Sequence, residues 1–446
     1  MLVGRPADQL RLTTTVPQPG PAQSGGLGLR AAVVLGISGI LGAGVFTLTG
    51  VAAERTGTLL PMAFVAAGLA ISLSAYSYAK WSAAFPSTGG PAEFIYLGFG
   101  RGGVAQALNL FQWVAYLLST ALQAAGFAAY ASALTGWSHE GPTRAIAAVV
   151  VVVFAVANLL GLRALVRWQL FILLIEAVAL GVLVFAGVLH GVSRPSTWQA
   201  PGGVGGFLAG AAILYVTLQG FAVITNAAPS FATPRRTVPR AVAISLAVVA
   251  IVYVIVGLMV VSALPAAEVT GAGGQLLADA AAAVAGTFGL ITMCLAALLA
   301  TAAAVNAAVF SSSRIGVDLA QHGALPKRTA GESDQPTTTM IVLVGAVVAL
   351  LVIAFPLTAI GPMVSLSFLA LYAVINVGHL RRHRQTGARR LPLVSAVAVN
   401  ALLFGFLLVD VIRNGPVAPW VVLAAAMATC LVVGFLVSGR SGPPAH

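Results

Sequence analysis

Gly36-Ile37-Ser38-Gly39-Ile40-Leu41-Gly42-Ala43-Gly44-Val45-Phe46-Thr47 is the stretch that decides the architecture of this chain. Four of the residues from Gly36 to Gly44 are glycine, in the middle of a segment apolar enough to cross a bilayer. Each glycine lowers helix propensity by about 1 kcal/mol relative to alanine, so the segment is prepared to unwind. Unwound backbone is costly in hydrocarbon unless its freed amides and carbonyls line a cavity or meet a ligand. Close helix packing accounts for most of the chain's 49 glycines, but not for this density.

A second interruption follows far downstream: Val216, Thr217, Leu218, Gln219, Gly220 and Phe221, with Asn226 and Pro229 beyond. Interrupted spans at corresponding places in two halves point to a transporter built from repeats. Here each would open a set of five spans, one to five and six to ten. Because five is odd, the two sets must be inverted relative to each other.

The composition places these segments in a membrane. Of 446 residues, 59% are apolar and only 8% charged, about a third of the charge density of a soluble domain. Twelve spans can be placed, including 29 to 53, 207 to 228, 286 to 313, 338 to 355 and 361 to 379. The divide between the ninth and tenth rests on Phe355, Pro356, Gly361 and Pro362. The spans must be helices, since lipid-exposed backbone has to satisfy its own hydrogen bonds. The expected organisation is a disordered cytoplasmic tail at 1–28, a first repeat at 29–189, a second at 207–379, two added spans within 392–437 and a tail at 438–446.

The net charge of +12 first suggests nucleic acid, yet no basic face with interleaved aromatics exists. With the amino terminus inside, the outer loops hold only Arg55, Arg144, Arg194 and Arg413 of the 23 basic residues. The inner segments hold the rest, including Lys80, Arg163, Arg167, Arg235, Arg236, Arg240, Arg381, Arg382 and Arg384. That bias puts both termini in the cytoplasm.

The chemistry follows from helix ends. Where a helix restarts after Gly42, the free amides of Ala43, Gly44 and Val45 and the positive end of the dipole can hold a carboxylate. Carbonyls near Ile40, Val216 and Gln219 can accept from an ammonium. The two poles together describe a zwitterion; an amino acid fits, and other small polar solutes stay open on this argument.

Glu176 is the one charge deep in a span. An ionised carboxylate at the bilayer centre costs about 2.5 kcal/mol or more, so such groups are functional by default. It is suited to carry a proton through a transport cycle; a permanently neutral structural role is the alternative. Lys80 and Asp410, near span ends, are explained by snorkelling.

Other motifs fail on context. Gly36-Ile37-Ser38-Gly39 spells an intramembrane serine-protease signature, but the serine needs a base at membrane depth. His139, His322, His383 and His446 fall in loops or tails, and His190 and His379 at span ends. Gly98, Gly100 and Gly103 match a dinucleotide fingerprint with no preceding strand. His379 and His383 lack further metal ligands. Cys294 and Cys430 fall within separate spans and read as packing residues.

At four places the chain resembles the amino acid, polyamine and organocation permease superfamily, over about residues 30 to 380. These are Gly42-Ala43-Gly44-Val45-Phe46; Tyr78-Ala79-Lys80 through Phe85-Pro86-Ser87-Thr88-Gly89-Gly90; Gly220-Phe221 followed by Pro234-Arg235-Arg236-Thr237-Val238-Pro239-Arg240-Ala241; and Ser313-Arg314 through His322-Gly323-Ala324-Leu325-Pro326-Lys327. The resemblance implies an all-α polytopic membrane protein with twelve transmembrane helices. It also implies a five-plus-five inverted repeat of LeuT-like form, discontinuous helices 1 and 6, and coupled movement of amino acids or related amines by alternating access. By position, the substrate carboxylate would meet Ala43 and Gly44, and its ammonium the carbonyls near Ile40 and Gln219.

The chain departs from the superfamily pattern at three places. Ala222 stands where members carry an acid, Pro229 and Ser230 replace a Glu-Glu pair, and Glu176 falls where proton-coupled relatives place a lysine. The expected function is a proton-coupled permease of the plasma membrane for a neutral amino acid, without cofactor or nucleic-acid partner. Gln112, Tyr116, Gln219, Gly220, Phe221 and Asn306 are the further cavity-facing candidates. Sodium coupling, export or exchange, a polyamine substrate and a non-transporting sensor stay open, as does the oligomeric state.

Overall fold

The computed structural model describes residues 26–87, 89–136, 139–160, 169–191, 197–331 and 335–440. Thr88, Gly161, Arg163, Arg167, Arg194 and His446, most of the amino-terminal tail and the end of the carboxy-terminal tail lie outside the described residues. The described chain is helical, with no strand beyond one isolated bridge. Its helices are α1 (Leu29–Ile40), α2 (Ala43–Thr56), α3 (Leu60–Ala84), α4 (Gly90–Phe99), α5 (Gly103–Thr135), α6 (Glu140–Leu159), α7 (Gln169–His190) and α8 (Gly203–Tyr215). There follow α9 (Ala222–Asn226), α10 (Pro234–Ala263), α11 (Ala266–Gly271), α12 (Leu276–Gln321), α13 (Thr338–Ala354), α14 (Leu357–Thr386), α15 (Arg390–Asn414) and α16 (Val417–Arg440).

Among the described residues ten helical runs are long and apolar enough to cross a membrane. One of them, Ala43–Ala84, carries both α2 and α3, and α1 and α13 are shorter apolar helices beside the ten. Exposed Leu69, Phe185, Leu189 and Phe288 cover outer faces. In water such faces would drive aggregation, whereas hydrocarbon is their natural solvent.

Local chemistry sets the helix ends that matter. The expected divide between the ninth and tenth spans falls at Phe355, which is extended (φ −127°, ψ 138°) ahead of Pro356. Proline disfavours the helical conformation of its predecessor and cannot donate to it, so α13 stops there. Gly361 and Pro362 lie inside α14 instead. The start expected for the eighth span at residue 286 is a break within α12, where Gly286 takes φ 57°, a left-handed value that only glycine adopts without strain.

One expectation needs correction. Residues 26–28 are not free tail: the Leu27 amide donates to the Ser230 carbonyl at 3.0 Å and the Ala232 amide to the Leu27 carbonyl at 3.3 Å. The parallel bridge Leu27–Phe231 ties the approach to α1 onto the segment after α9. Composition rich in Gly and Pro gave no hint of it, because a bridge is built from backbone groups that every residue carries.

In the interior, α10 packs along both α1 and α3, α12 against α5 and α7, and α2 against α8. Ser74 on α3 forms a polar hub in that apolar interior. Its Oγ lies 2.9 Å from the Tyr215 hydroxyl and accepts from the side-chain amides of Asn376 and Asn400, each at 2.9 Å. All four residues are buried, so α3, α8, α14 and α15 share one hydrogen-bonded centre.

A cavity at two touching breaks

α1 stops at Ile40 because Leu41 (φ −71°, ψ 113°) and Gly42 (φ 177°, ψ −158°) are extended. α2 restarts at Ala43 without a side-chain cap. Its first amides, Ala43, Gly44 and Val45 among them, therefore lack intrahelical acceptors, and the positive end of the helix dipole faces the gap.

The second break takes a different form from the first. Between α8 and α9 the chain does not open; residues Val216–Phe221 tighten into a 3₁₀ turn. Such turns keep i to i+3 hydrogen bonds, so most of this backbone stays satisfied within the membrane. The two breaks press together. A Cβ on Gly220 would run into the Gly39 carbonyl oxygen, and one on Gly39 would come within 2.7 Å of the Gly220 oxygen.

Where they meet lies a cavity of about 250 Å³. The first break contributes Ser38, Gly39, Ile40, Gly42, Ala43, Gly44, Thr47 and Leu48, and the second Val216, Thr217, Gln219 and Gly220. α5 adds Ser119, Leu122 and Gln123, α7 adds Ile172 and Glu176, and α12 adds Ala300, Ala303, Ala304 and Ala307. This volume is just under the roughly 300–1,000 Å³ of drug-sized sites, which suits a small solute.

The polar groups of the cavity are few. Glu176 is 2% exposed, and its Oε2 has no hydrogen-bond partner. Gln123 Oε1 and Gln219 Oε1 are likewise without one. Among the described residues no Lys, Arg or His lines the space. Thr47 donates to the Ala43 carbonyl at 2.9 Å and Thr217 to that of Leu214 at 2.7 Å, which leaves only acceptor capacity on those hydroxyls. The Ile40 carbonyl already accepts from the Tyr253 hydroxyl of α10 at 2.9 Å, which leaves it one lone pair. An uncapped helix N-terminus, acceptor carbonyls and a carboxyl with one unpartnered oxygen thus surround the space, a set able to bind a small molecule carrying both a carboxylate and an amine.

Of the residues expected from the sequence, Ile40, Gly42, Ala43, Gly44, Val216, Gln219, Gly220 and Glu176 come together in this cavity. Five lie elsewhere. The Val45 side chain is fully buried outside it. Phe221 packs edge-on against Tyr78 and tilted against Tyr372. Tyr116 meets Phe368 edge-on. Asn306 Oδ1 accepts from the Asn158 amide at 3.0 Å, tying α12 to α6. Gln112 is buried on α5, with Oε1 unpartnered. Gln112 and Tyr116 share the helix face of Ser119 and Gln123 but sit one to two turns away along the axis, at 1.5 Å per residue.

Sequence reasoning missed Ser119, Gln123 and the alanines of α12. A signal existed in the spacing of Ala300, Ala303, Ala304 and Ala307, which puts one strip of small side chains on a single helix face.

Among the described residues no cluster of three or more His, Cys, Asp or Glu could hold a metal ion. The amino acid permease family model matches residues 27–436. The chain is 28% identical to the inner membrane transport protein YbaT of Escherichia coli over 387 residues, covering 85% of this chain and 89% of that one. It is 25% identical to the branched-chain amino acid permease BcaP of Bacillus subtilis over 405 residues, 85% and 86% of the two chains. An uncharacterized protein of Methanocaldococcus jannaschii is 31% identical over 368 residues, 82% and 84% of the two. These matches, nearly end to end on a helical chain with membrane-crossing helices, bear out the resemblance read from the four motifs: the chain belongs to the amino acid permease family, a family of transporters and not of enzymes.

Proposed function

We propose that the protein is a secondary transporter that moves a small neutral amino acid across the plasma membrane by alternating access, coupled to protons through Glu176. The observation that carries the reading is the cavity itself. The uncapped start of α2 faces the same 250 Å³ space as the Glu176 carboxyl. In this reading the substrate carboxylate rests on the amides of Ala43, Gly44 and Val45, and its ammonium on carbonyls near Ile40, Val216 and Gln219. The cavity size and the absence of a basic side chain among its described lining residues favour a substrate with no second acidic group.

The chain would cross the membrane twelve times with both termini cytoplasmic. Residues 29–189 and 207–379 would form inverted repeats, and two further spans would lie within 392–437. The site itself needs no cofactor; H⁺ is the coupling ion, with Na⁺ the rival. Glu176 suits a proton because it faces the cavity and its Oε2 is unpartnered.

Uptake of labelled amino acids into proteoliposomes under imposed pH or sodium gradients tests this. Glu176→Gln should abolish accumulation driven by a pH gradient while leaving substrate exchange. Accumulation that survives the change moves coupling elsewhere, and uptake of no amino acid under any gradient ends the reading.

One observation favours a second reading. A carboxyl with an unpartnered oxygen, in a cavity with no base among its described lining residues, could serve as counter-ion to a cationic amine. In that case Glu176→Gln would abolish binding as well as accumulation, and a cationic amino acid or polyamine would compete where a neutral one does not.

A further inference from the structure

A second hollow, of about 650 Å³, lies on the outside of the bundle between α3 and α10. Small residues line both of its sides, Gly68, Ala75 and Ala79 on α3 and Ala243, Ala247 and Ala250 on α10. Gly68 and Ala250 stand opposite each other; a Cβ on Gly68 would sit 3.4 Å from the Ala250 methyl and 3.9 Å from Leu218 Cδ1, ordinary contact at both. Its rim, including Leu69 at 67% and Ile251 at 60% exposure, faces outward. From Phe64 to Lys80 the hollow follows α3 for about 24 Å at 1.5 Å per residue, most of a hydrocarbon core of about 30 Å. A long, narrow, apolar groove open to the bilayer fits an acyl chain better than a compact solute.

The two ends of the groove differ. At the end near Phe64 and Ile255 there is no charge. At the other stands Lys80, its ammonium 5.9 Å from the centre of the Tyr76 ring. The Tyr76 hydroxyl accepts from the Arg389 amide at 2.9 Å, which brings the basic start of α15 to the same rim, and Arg240 follows the lining residue Pro239. Among the described residues none of Lys80, Arg240 and Arg389 makes an ion pair with a carboxylate. The surface is therefore apolar along its length and cationic at one end, the complement of an amphiphile with a negative head.

We propose that this groove binds an anionic phospholipid, its acyl chain along α3 and α10 and its phosphate on Lys80. α10 also carries Tyr253, whose hydroxyl holds the Ile40 carbonyl at the first break, so the lipid seat and the cavity share one helix.

The test is native mass spectrometry of the purified full-length protein in detergent, offered equal amounts of phosphatidylglycerol and phosphatidylcholine with the same acyl chains. One lysine near a phosphate corresponds to roughly a five-fold preference for the anionic lipid. Lys80→Gln should bring retention of the two lipids to parity, and Lys80→Arg should keep the preference. Ala247→Phe, which fills the groove, should lower retention of both. Equal retention of the two lipids by the unaltered protein overturns the proposal, as does an unchanged preference in Lys80→Gln or unchanged retention in Ala247→Phe. If Lys80→Gln does not yield monodisperse protein, the competition on the unaltered protein decides alone.

Discussion

Gly220 stands against the Gly39 carbonyl so closely that no side-chain atom fits between them. The two interruptions of the membrane interior are thus one structure, joined backbone to backbone, and the cavity lies along their seam. Gly42 is different: its backbone is extended in a way any residue can adopt, and a Cβ there would meet nothing within 4 Å. Gly220→Ala should destabilise the protein by about 1–3 kcal/mol, the usual cost of overpacking. Gly42→Ala should unfold at the temperature of the unaltered protein and yet lose substrate binding, because its methyl occupies the cavity. Thermal unfolding and uptake measured on the same two variants separate the roles; a Gly42→Ala protein with normal uptake would remove Gly42 from the site.

The Tyr253 hydroxyl holds the last carbonyl of α1 at 2.9 Å, and both groups are buried. Tyr253→Phe removes this donor and should cost about 0.5–1.5 kcal/mol, the net worth of one hydrogen bond. Loosening the end of α1 should also raise the KM for uptake more than it lowers the maximal rate. A KM equal to that of the unaltered protein would mean that the tether serves stability alone.

How far the sequence could be read depended on what kind of force fixed each feature. The helices followed from long apolar runs, and the end of α13 followed from Pro356, whose effect on Phe355 is local. The first break was visible because Gly36, Gly39, Gly42 and Gly44 crowd one span, and Glu176 because a lone charge there is conspicuous. The shape of the second break was not. Gly220 reads the same whether the chain gaps or tightens, and what singles it out is contact with Gly39, far away in sequence. Gln112, Tyr116 and Asn306 have the chemistry of a polar cavity lining, whereas depth along the helix and a partner on α6 decide where they sit. The α12 wall is alanine, which has no polar group to mark it.

At the far end of α2, Arg55 Nε donates to Asp410 of α15 at 2.7 Å, and Arg55 also meets Glu54 at 3.4 Å. Both partners of the longer-range pair are largely covered, with side chains 17% and 12% exposed. Exposed pairs contribute roughly 0.2–1 kcal/mol, and partial burial should put this one near or above the upper end. A double-mutant cycle on Arg55→Met and Asp410→Asn, followed by thermal unfolding, should give a coupling of about 1 kcal/mol that falls only slightly as salt is raised. A coupling that vanishes in moderate salt would make the pair an ordinary surface contact.

Ser74 offers the sharpest test of the interior. Its hydroxyl is the shared partner of the Asn376 and Asn400 side-chain amides and lies 2.9 Å from the Tyr215 hydroxyl. The carbonyl oxygens of both asparagines already lack partners, so Ser74 is what holds these side chains in an apolar setting. Ser74→Ala removes one oxygen and strands two amide donors at once, each unsatisfied group costing about 1–3 kcal/mol. The variant should therefore lose more stability than a single hydrogen bond explains. Adding Asn400→Leu to Ser74→Ala removes one stranded group and replaces it with an apolar side chain, and should recover part of the loss. That partial rescue, read as a rise in unfolding temperature of the double variant above Ser74→Ala alone, distinguishes a stranded polar group from a simple cavity, which the second change would leave unfilled; no rescue would mean that Asn400 finds another partner when Ser74 is gone.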